Sequence, residues 1–263
     1  MKKLLGCLLV VFGFIIISSA AAWADAGAPA SDRWQVTLEA SGWMPEVFGP
    51  VTTASGVSKV KLDITDYGAM LDEVRMILAG RLIVQKGRFS IFYDSFYLKI
   101  YDEMHSAGDS LEITFWSLIE ELGGTYKVTD WAVGGANKKN LGFEVLGGAR
   151  HGYLRTKGDA ELPVEGLTLG GDKTYQWVDP FIGGRLTLGL TDQVSVSLRG
   201  DVGGGASSGF LWNGILNLKS YFTKNKNWFT TIGYRAMNTD YKDGSFKYQI
   251  KYYGPEATIG VTF

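Results

Sequence analysis

The chain has 263 residues and a formal net charge of −1, with 26 Lys and Arg against 27 Asp and Glu, a balance that gives no reason to expect nucleic acid as a partner. Its one cysteine, Cys7, lies in an N-terminal targeting segment, so the mature chain is expected to have no disulfide, thiol nucleophile or cysteine metal site. No later stretch reaches the ~18 consecutive apolar residues of a spanning helix, whereas 35 glycines and 13% aromatics, set in short alternating segments, point to a single all-β domain.

Lys2 and Lys3 precede an apolar run over residues 4–17 and the small-residue site Ala22-Trp23-Ala24. This is the pattern of a secretory signal peptide over 1–24, cut between Ala24 and Asp25. Its apolar run is shorter than the ~20 residues of a membrane-spanning helix. Leu4-Leu5-Gly6-Cys7 looks like a lipoprotein box but precedes the apolar core instead of following it. Residues 25–32 read as a short leader, and 33–263 as a barrel domain.

Alternation at period two, the signature of a strand with unlike faces, recurs along that domain. It predicts about ten strands, over 33–47, 73–85, 89–101, 111–129, 141–155, 175–190, 194–202, 210–222, 228–241 and a last one ending at 263. Eight or twelve strands are the alternatives, with 57–64 as a further strand and 65–71 as a helix. The segment 111–129 does not hold one register, which predicts a bulge near Phe115 and Trp116. Residues 51–72 read as a structured external loop folded toward the barrel mouth. Short links at 86–88, 190–193 and 224–227 fall on one side, as periplasmic turns do in an outer-membrane barrel. At the C-terminus, Tyr253, Ala257, Ile259, Val261 and Phe263 share one face and Tyr252, Glu256 and Thr258 the other. The fold expected is therefore an antiparallel, up-and-down transmembrane β-barrel, greasy outside and polar inside. A terminal aromatic on the lipid-facing register resembles a C-terminal assembly signal, carried here by Tyr253, Ile259, Val261 and Phe263.

The same registers predict which charges point inward. The acids are Glu39, Asp94, Glu121, Glu144, Asp179, Asp201 and Glu256, and the bases Arg75, Arg81, Arg150, Arg185, Arg199, Lys219 and Arg235. The two sets balance. Isolated buried charges are too costly to persist, so this set is expected to pair across a narrow lumen. A pore selective for one sign would carry rings of one charge instead. Arg185 is expected to face Arg199 or Asp201.

Trp177-Val178-Asp179-Pro180-Phe181-Ile182-Gly183-Gly184-Arg185, Leu198-Arg199-Gly200-Asp201-Val202-Gly203-Gly204 and Gly244-Ser245-Phe246-Lys247-Tyr248 with Gly254-Pro255 resemble an uncharacterised family of bacterial outer-membrane β-barrels. Asp63-Ile64-Thr65-Asp66, Lys86-Gly87-Arg88 and Asp94-Ser95-Phe96-Tyr97-Leu98 look like the same family. More loosely, the chain resembles the small barrels related to outer-membrane proteins A and W. The resemblance implies the fold and a bacterial outer-membrane location, not an activity. Arg199-Gly200-Asp201 sits mid-strand and reads as a brace, not an adhesion triplet.

Chemistry is sparsely signalled. His105 sits at an outer strand end beside Ser106 and near Ser110, but adjacent strand residues point oppositely, a poor arrangement for a nucleophile and its base. His151 falls on the lipid-facing register. Asp102-Glu103 and Glu120-Glu121 lack a partner cluster, and Gly203-Gly204-Gly205 is not a phosphate loop because another strand follows it. No catalytic, cofactor or metal site is assigned, and no enzyme activity is expected. The reading is a structural barrel or narrow passive channel, monomeric, with outer-membrane lipid, lipopolysaccharide and the barrel-assembly machinery as partners. The alternatives are an outer-membrane lipid-modifying enzyme and an external binding or adhesion protein acting through its loops.

Overall fold

The structure, a computed structural model, describes residues 33–53, 56–62, 74–106, 109–133, 139–158 and 171–263. The signal peptide, the leader and the helix expected at 65–71 lie outside them. Twelve strands follow in chain order: β1 (Trp34–Trp43), β2 (Glu46–Thr53), β3 (Gly56–Leu62), β4 (Val74–Lys86), β5 (Phe89–Ser106), β6 (Asp109–Val133), β7 (Lys139–Gly158), β8 (Gly171–Gly189), β9 (Val194–Gly203), β10 (Leu211–Tyr221), β11 (Trp228–Asp243) and β12 (Phe246–Thr262). They form one antiparallel sheet in the order β1-β4-β5-β6-β7-β8-β9-β10-β11-β12-β2-β3, closed by a β1–β12 pairing. Ten strands therefore complete the barrel, and the β2–β3 hairpin is additional to it.

Closure is made by the two chain ends of the domain. Thr37 to Trp43 pair in register with Thr262 to Glu256, and Val36 and Phe263 exchange backbone hydrogen bonds of 3.2 and 2.9 Å. A closed ladder satisfies every backbone donor and acceptor without water, the condition for crossing lipid with strands. The outer surface fits that solvent: Ile91, Leu122, Val178, Ile182, Leu198, Leu216, Ile232 and Ile259 all face outward and exposed. In water such a continuous apolar belt would be an aggregation surface; in a transmembrane barrel it meets acyl chains.

Three sequence expectations change. The strand over 33–47 is broken at Met44-Pro45. β1 pairs with the lower half of β12, and β2 continues along its upper half, so one long strand supports two successive partners. Residues 51–53 and 56–62 are not a loop in the mouth but belong to the β2–β3 hairpin that widens the sheet beyond β12, close to the alternative strand over 57–64; residues 63–72 lie outside the described residues. No bulge occurs at Phe115 and Trp116, which stay in step with Ile100 and Lys99. The alternation fails there because both faces are apolar: Phe115 packs inward on the core and stacks near Tyr248, while Trp116 faces out. The irregularities fall instead between Lys127 and Thr129 and between Val74 and Met76.

Candidate functional site

The barrel interior is divided by height into three zones. The external zone is apolar. Trp43, Phe96, Leu98, Ile119, Leu154, Trp177, Met237, Tyr241, Phe246, Tyr248, Ile250 and Tyr252 form one buried cluster drawn from β1, β5 to β8, β11 and β12. Trp177 stacks on Tyr241 at 4.6 Å, and the Tyr248 and Tyr252 hydroxyls bond each other at 2.6 Å. Glycine makes room for the largest ring: a Cβ on Gly152, the cross-strand partner of Trp177, would lie 2.2 Å from the indole. The expectation of a polar lumen thus fails in this zone, because inward positions above the belt hold a packed core.

Beneath it lies a layer of charges. One inward row crosses six neighbouring strands in register: Glu39, Arg81, Asp94, Glu121, Arg150 and Asp179. Glu121 is fully buried, at 0% exposure. Its Oε1 accepts from Arg150 Nε and Arg235 Nη2, both at 3.0 Å, and its Oε2 from Arg199 Nη2 at 2.7 Å. β6 and β11 are five strands apart in a ring of ten, so the Glu121–Arg235 bond crosses the diameter. Asp201 takes Arg150 Nη2 at 2.7 Å, Arg199 Nε at 2.9 Å and Asn213 Nδ2 at 2.9 Å. Asp94 joins Arg235 to Arg81, which reaches on to Glu39 at 3.4 Å. Aromatic faces sandwich the layer, with Trp43 over Arg235 and Phe92 and Phe181 against Arg199. A carboxylate with three guanidinium donors has its desolvation cost met by charge-assisted bonds on both oxygens.

The third zone, toward the end with the short turns, is wetter. It holds a cavity of about 130 Å³ lined by Arg185, Arg199 and Lys219 with Glu39, Glu256 and hydroxyls including Ser195 and Ser197. Arg185 faces Arg199, one of its two expected neighbours, and not Asp201, which is taken by Arg150 and Arg199; its ion pair is with Glu144 at 3.2 Å. Arg185 and Glu144 each keep 24% of their side-chain surface accessible, so solvent reaches this level.

The structure thus brings Glu39, Arg81, Asp94, Glu121, Arg150, Arg199, Asp201 and Arg235 into one network and holds Glu144 with Arg185 beside it. Asp179, 1% exposed, stands at its edge with neither carboxylate oxygen hydrogen-bonded, and Glu256 and Lys219 have no ion pair among the described residues. The side chains of Arg75, Asp102, Glu103, His105, Ser106 and Ser110 lie outside the described residues. Asn213 was missed by reading charge alone; its amide bridges Asp201 to Arg235, at 3.2 Å on the second side. Tyr253, half-buried, stacks on Phe48 at 5.4 Å, and Ile259 and Phe263 face outward exposed.

On the outer face, Tyr93 donates to Glu120, whose other oxygen lies 2.9 Å from His151 Nδ1. No group of three or more His, Cys, Asp or Glu suited to a metal ion occurs among the described residues.

No family model and no curated protein matches the chain. Among solved structures, the N-terminal β-barrel domain of Pseudomonas aeruginosa OprF aligns at 13% identity over 87% of this chain and 97% of that one, with a TM-score of 0.33. The Escherichia coli outer membrane protease OmpT aligns at 10% identity over 91% and 99%, with a TM-score of 0.41. Neisserial surface protein A aligns at 13% identity over 88% and 97%, with a TM-score of 0.32. Nothing is carried over to this chain from these alignments.

Proposed function

We propose that this protein is a monomeric barrel of the bacterial outer membrane whose interior is a brace, not a conduit. The observation that carries the reading is Glu121, buried completely and bonded to arginines from three other strands, one of them on the opposite wall. A conducting pore needs a continuous wet path, whereas this layer joins the walls and a packed aromatic zone lies above it. The balanced charges of the layer also favour no ion of either sign. Its partners in this reading are outer-membrane lipid, lipopolysaccharide and the assembly machinery that would receive the final strand, with Tyr253, Ile259, Val261 and Phe263 as its signal. The reading is non-enzymatic.

Recording in planar bilayers tests the proposal. The expected result is no stable conductance step from the unmodified protein. A large, steady and ion-selective current would overturn the brace and establish a porin.

A second reading is favoured by one observation. Strands β5 to β8 run for 18, 25, 20 and 19 residues, against 10 and 11 for β9 and β10. A strand needs only about 9–11 residues to span. The β5–β8 wall therefore projects beyond the belt and offers an external surface for binding. Shortening both hairpins of that wall should leave insertion intact and abolish any adhesion to host or lipid surfaces that intact cells display.

A further inference from the structure

The periplasmic cavity is lined asymmetrically. Its β8–β9–β10 wall is in strict register: Arg185 stands opposite Arg199, Thr187 opposite Ser197, and Ser195 opposite Lys219. Asn217 completes the row with Ser197. This stretch of wall presents three cations, three hydroxyls and an amide to the cavity and carries no carboxylate; the acids of the cavity, Glu39 and Glu256, stand on β1 and β12. Like charges placed directly across a strand pair repel; Arg199 is compensated by Glu121 and Asp201, whereas Arg185 has only its 3.2 Å contact to Glu144.

The donors are also unspent. Arg199 is 3% exposed, and its Nη1 has no hydrogen-bond partner although Nε and Nη2 are both bonded. Arg185 makes a single 3.2 Å contact to Glu144. Lys219 makes no ion pair among the described residues; its ammonium sits 3.6 Å from the Phe229 ring centroid, which steadies the cation without neutralising it. A guanidinium with a single 3.2 Å contact and a lysine held by a ring mark a place where an acceptor with several oxygens would fit.

We propose that the β8–β10 wall of this cavity binds a small oxyanion of phosphate or sulfate size entering from the periplasmic end. Lys219 and Arg185 are its charged donors, Ser195, Ser197 and Thr187 supply hydroxyls, and Arg199 lines the same wall. The cavity volume of about 130 Å³ admits such an ion with a water or two and excludes a nucleotide or a sugar chain. The proposal does not require a closed lumen, so a conducting barrel would leave it standing.

The test uses the protein purified from membranes in detergent. Inorganic phosphate, sulfate and chloride are titrated calorimetrically at constant ionic strength. Saturable binding of phosphate or sulfate is expected, with chloride weaker. Lys219→Met and Arg185→Gln should each weaken it by at least about tenfold, the loss of one charge-assisted donor. Leu216→Ala, on the lipid face, should leave it unchanged. A Ser195→Cys variant reports access, since phosphate should slow its labelling by a small charged thiol reagent. Heat-modifiability on gels separates lost binding from a failure to fold: a variant that does not fold is set aside, and the Ser195→Cys protection then decides. Linear, non-saturating heats with phosphate and sulfate, or equal affinity in folded Lys219→Met, would overturn the site.

Discussion

The external half of the barrel and its membrane-embedded half use the same two-residue alternation in opposite phase. On β12, Ile259 faces out and exposed, whereas Glu256 and Thr258 are buried inside. Eight residues toward the N-terminus the polarity reverses. Phe246, Tyr248, Ile250 and Tyr252 are buried inside, and Gln249 and Lys251 are exposed outside. β5 repeats the change: Phe89, Ile91 and Tyr93 face out, then Phe96 and Leu98 face in. β11 does so as well, from Ile232 and Tyr234 outward to Met237 and Tyr241 inward. The lower half is built for lipid, with its charges gathered at the axis, and the upper half like a soluble barrel with a hydrophobic core. In the proposed outer-membrane setting the level of the phase change is where the acyl chains would end, and the Glu121 layer sits just below it.

The largest expected effect comes from the layer that separates the two halves. Glu121→Gln keeps the shape of the side chain but leaves Arg150, Arg199 and Arg235 converging without their shared anion. Breaking a buried pair by removing one partner costs about 3–5 kcal/mol. Urea unfolding in lipid vesicles should show a loss of that size, and Glu144→Gln, whose partner Arg185 is reached by solvent, should lose far less. Equal losses at the two positions would mean that the interior is uniformly wet and that no sealing layer exists.

Next come the outward positions, where the phase argument itself can be broken. Leu198→Arg puts a charge into the acyl zone, at about 2–4 kcal/mol if the position is near the midplane. Ser197→Arg points into the cavity and should be much milder. Gln249→Arg is outward like Leu198 but above the phase change, and should be almost neutral. A penalty for Gln249→Arg as large as that for Leu198→Arg, in the same vesicle titrations, would place the membrane boundary higher than the alternation does.

The outward register was readable in the sequence because lipid demands apolar side chains at every second position over about ten residues, as in Val194 to Val202. The inward charges were equally readable, since a charge on the other register has nowhere else to go. Two things were not. Alternation alone says that the faces differ, not which one is dry, so the upper half of β12 looked like a continuation of the lower. Pair identity was hidden too: Arg150, Arg199 and Arg235 converge on Glu121 across the diameter, and no neighbour-strand rule finds a contact between β6 and β11. The alternation puts Asn213 inward, but it carries no charge and so fell outside the set of inward charges, though it links two members of the network.

The smallest effect is expected where the upper half meets water. Arg155 on β7 donates through Nε to Asp172 on β8 at 2.7 Å, and its guanidinium lies over Trp116 at 5.1 Å, opposite Lys99 at 5.5 Å. Asp172 lies on the outward register of β8 six residues above Val178, the top of that strand's belt, and the bond from Arg155 holds its carboxyl below the usual carboxylate range. The sign follows from that direction. A lowered folded pKa contributes stability that is present above the unfolded value of about 4 and is lost as pH falls through the lowered value. Both side chains are open to solvent, at 40% and 44% exposure, so the contribution is small and fades further in salt. Arg155→Ala should raise the Asp172 pKa toward its ordinary value, read by carbonyl NMR in detergent, and leave the unfolding midpoint nearly unchanged at pH 7. Arg155→Lys should restore only part of the shift, because the ammonium lacks the planar fork that grips both carboxylate oxygens. An unfolding loss for Arg155→Ala that rivals Glu121→Gln would show that the rim, not the buried layer, holds this barrel together.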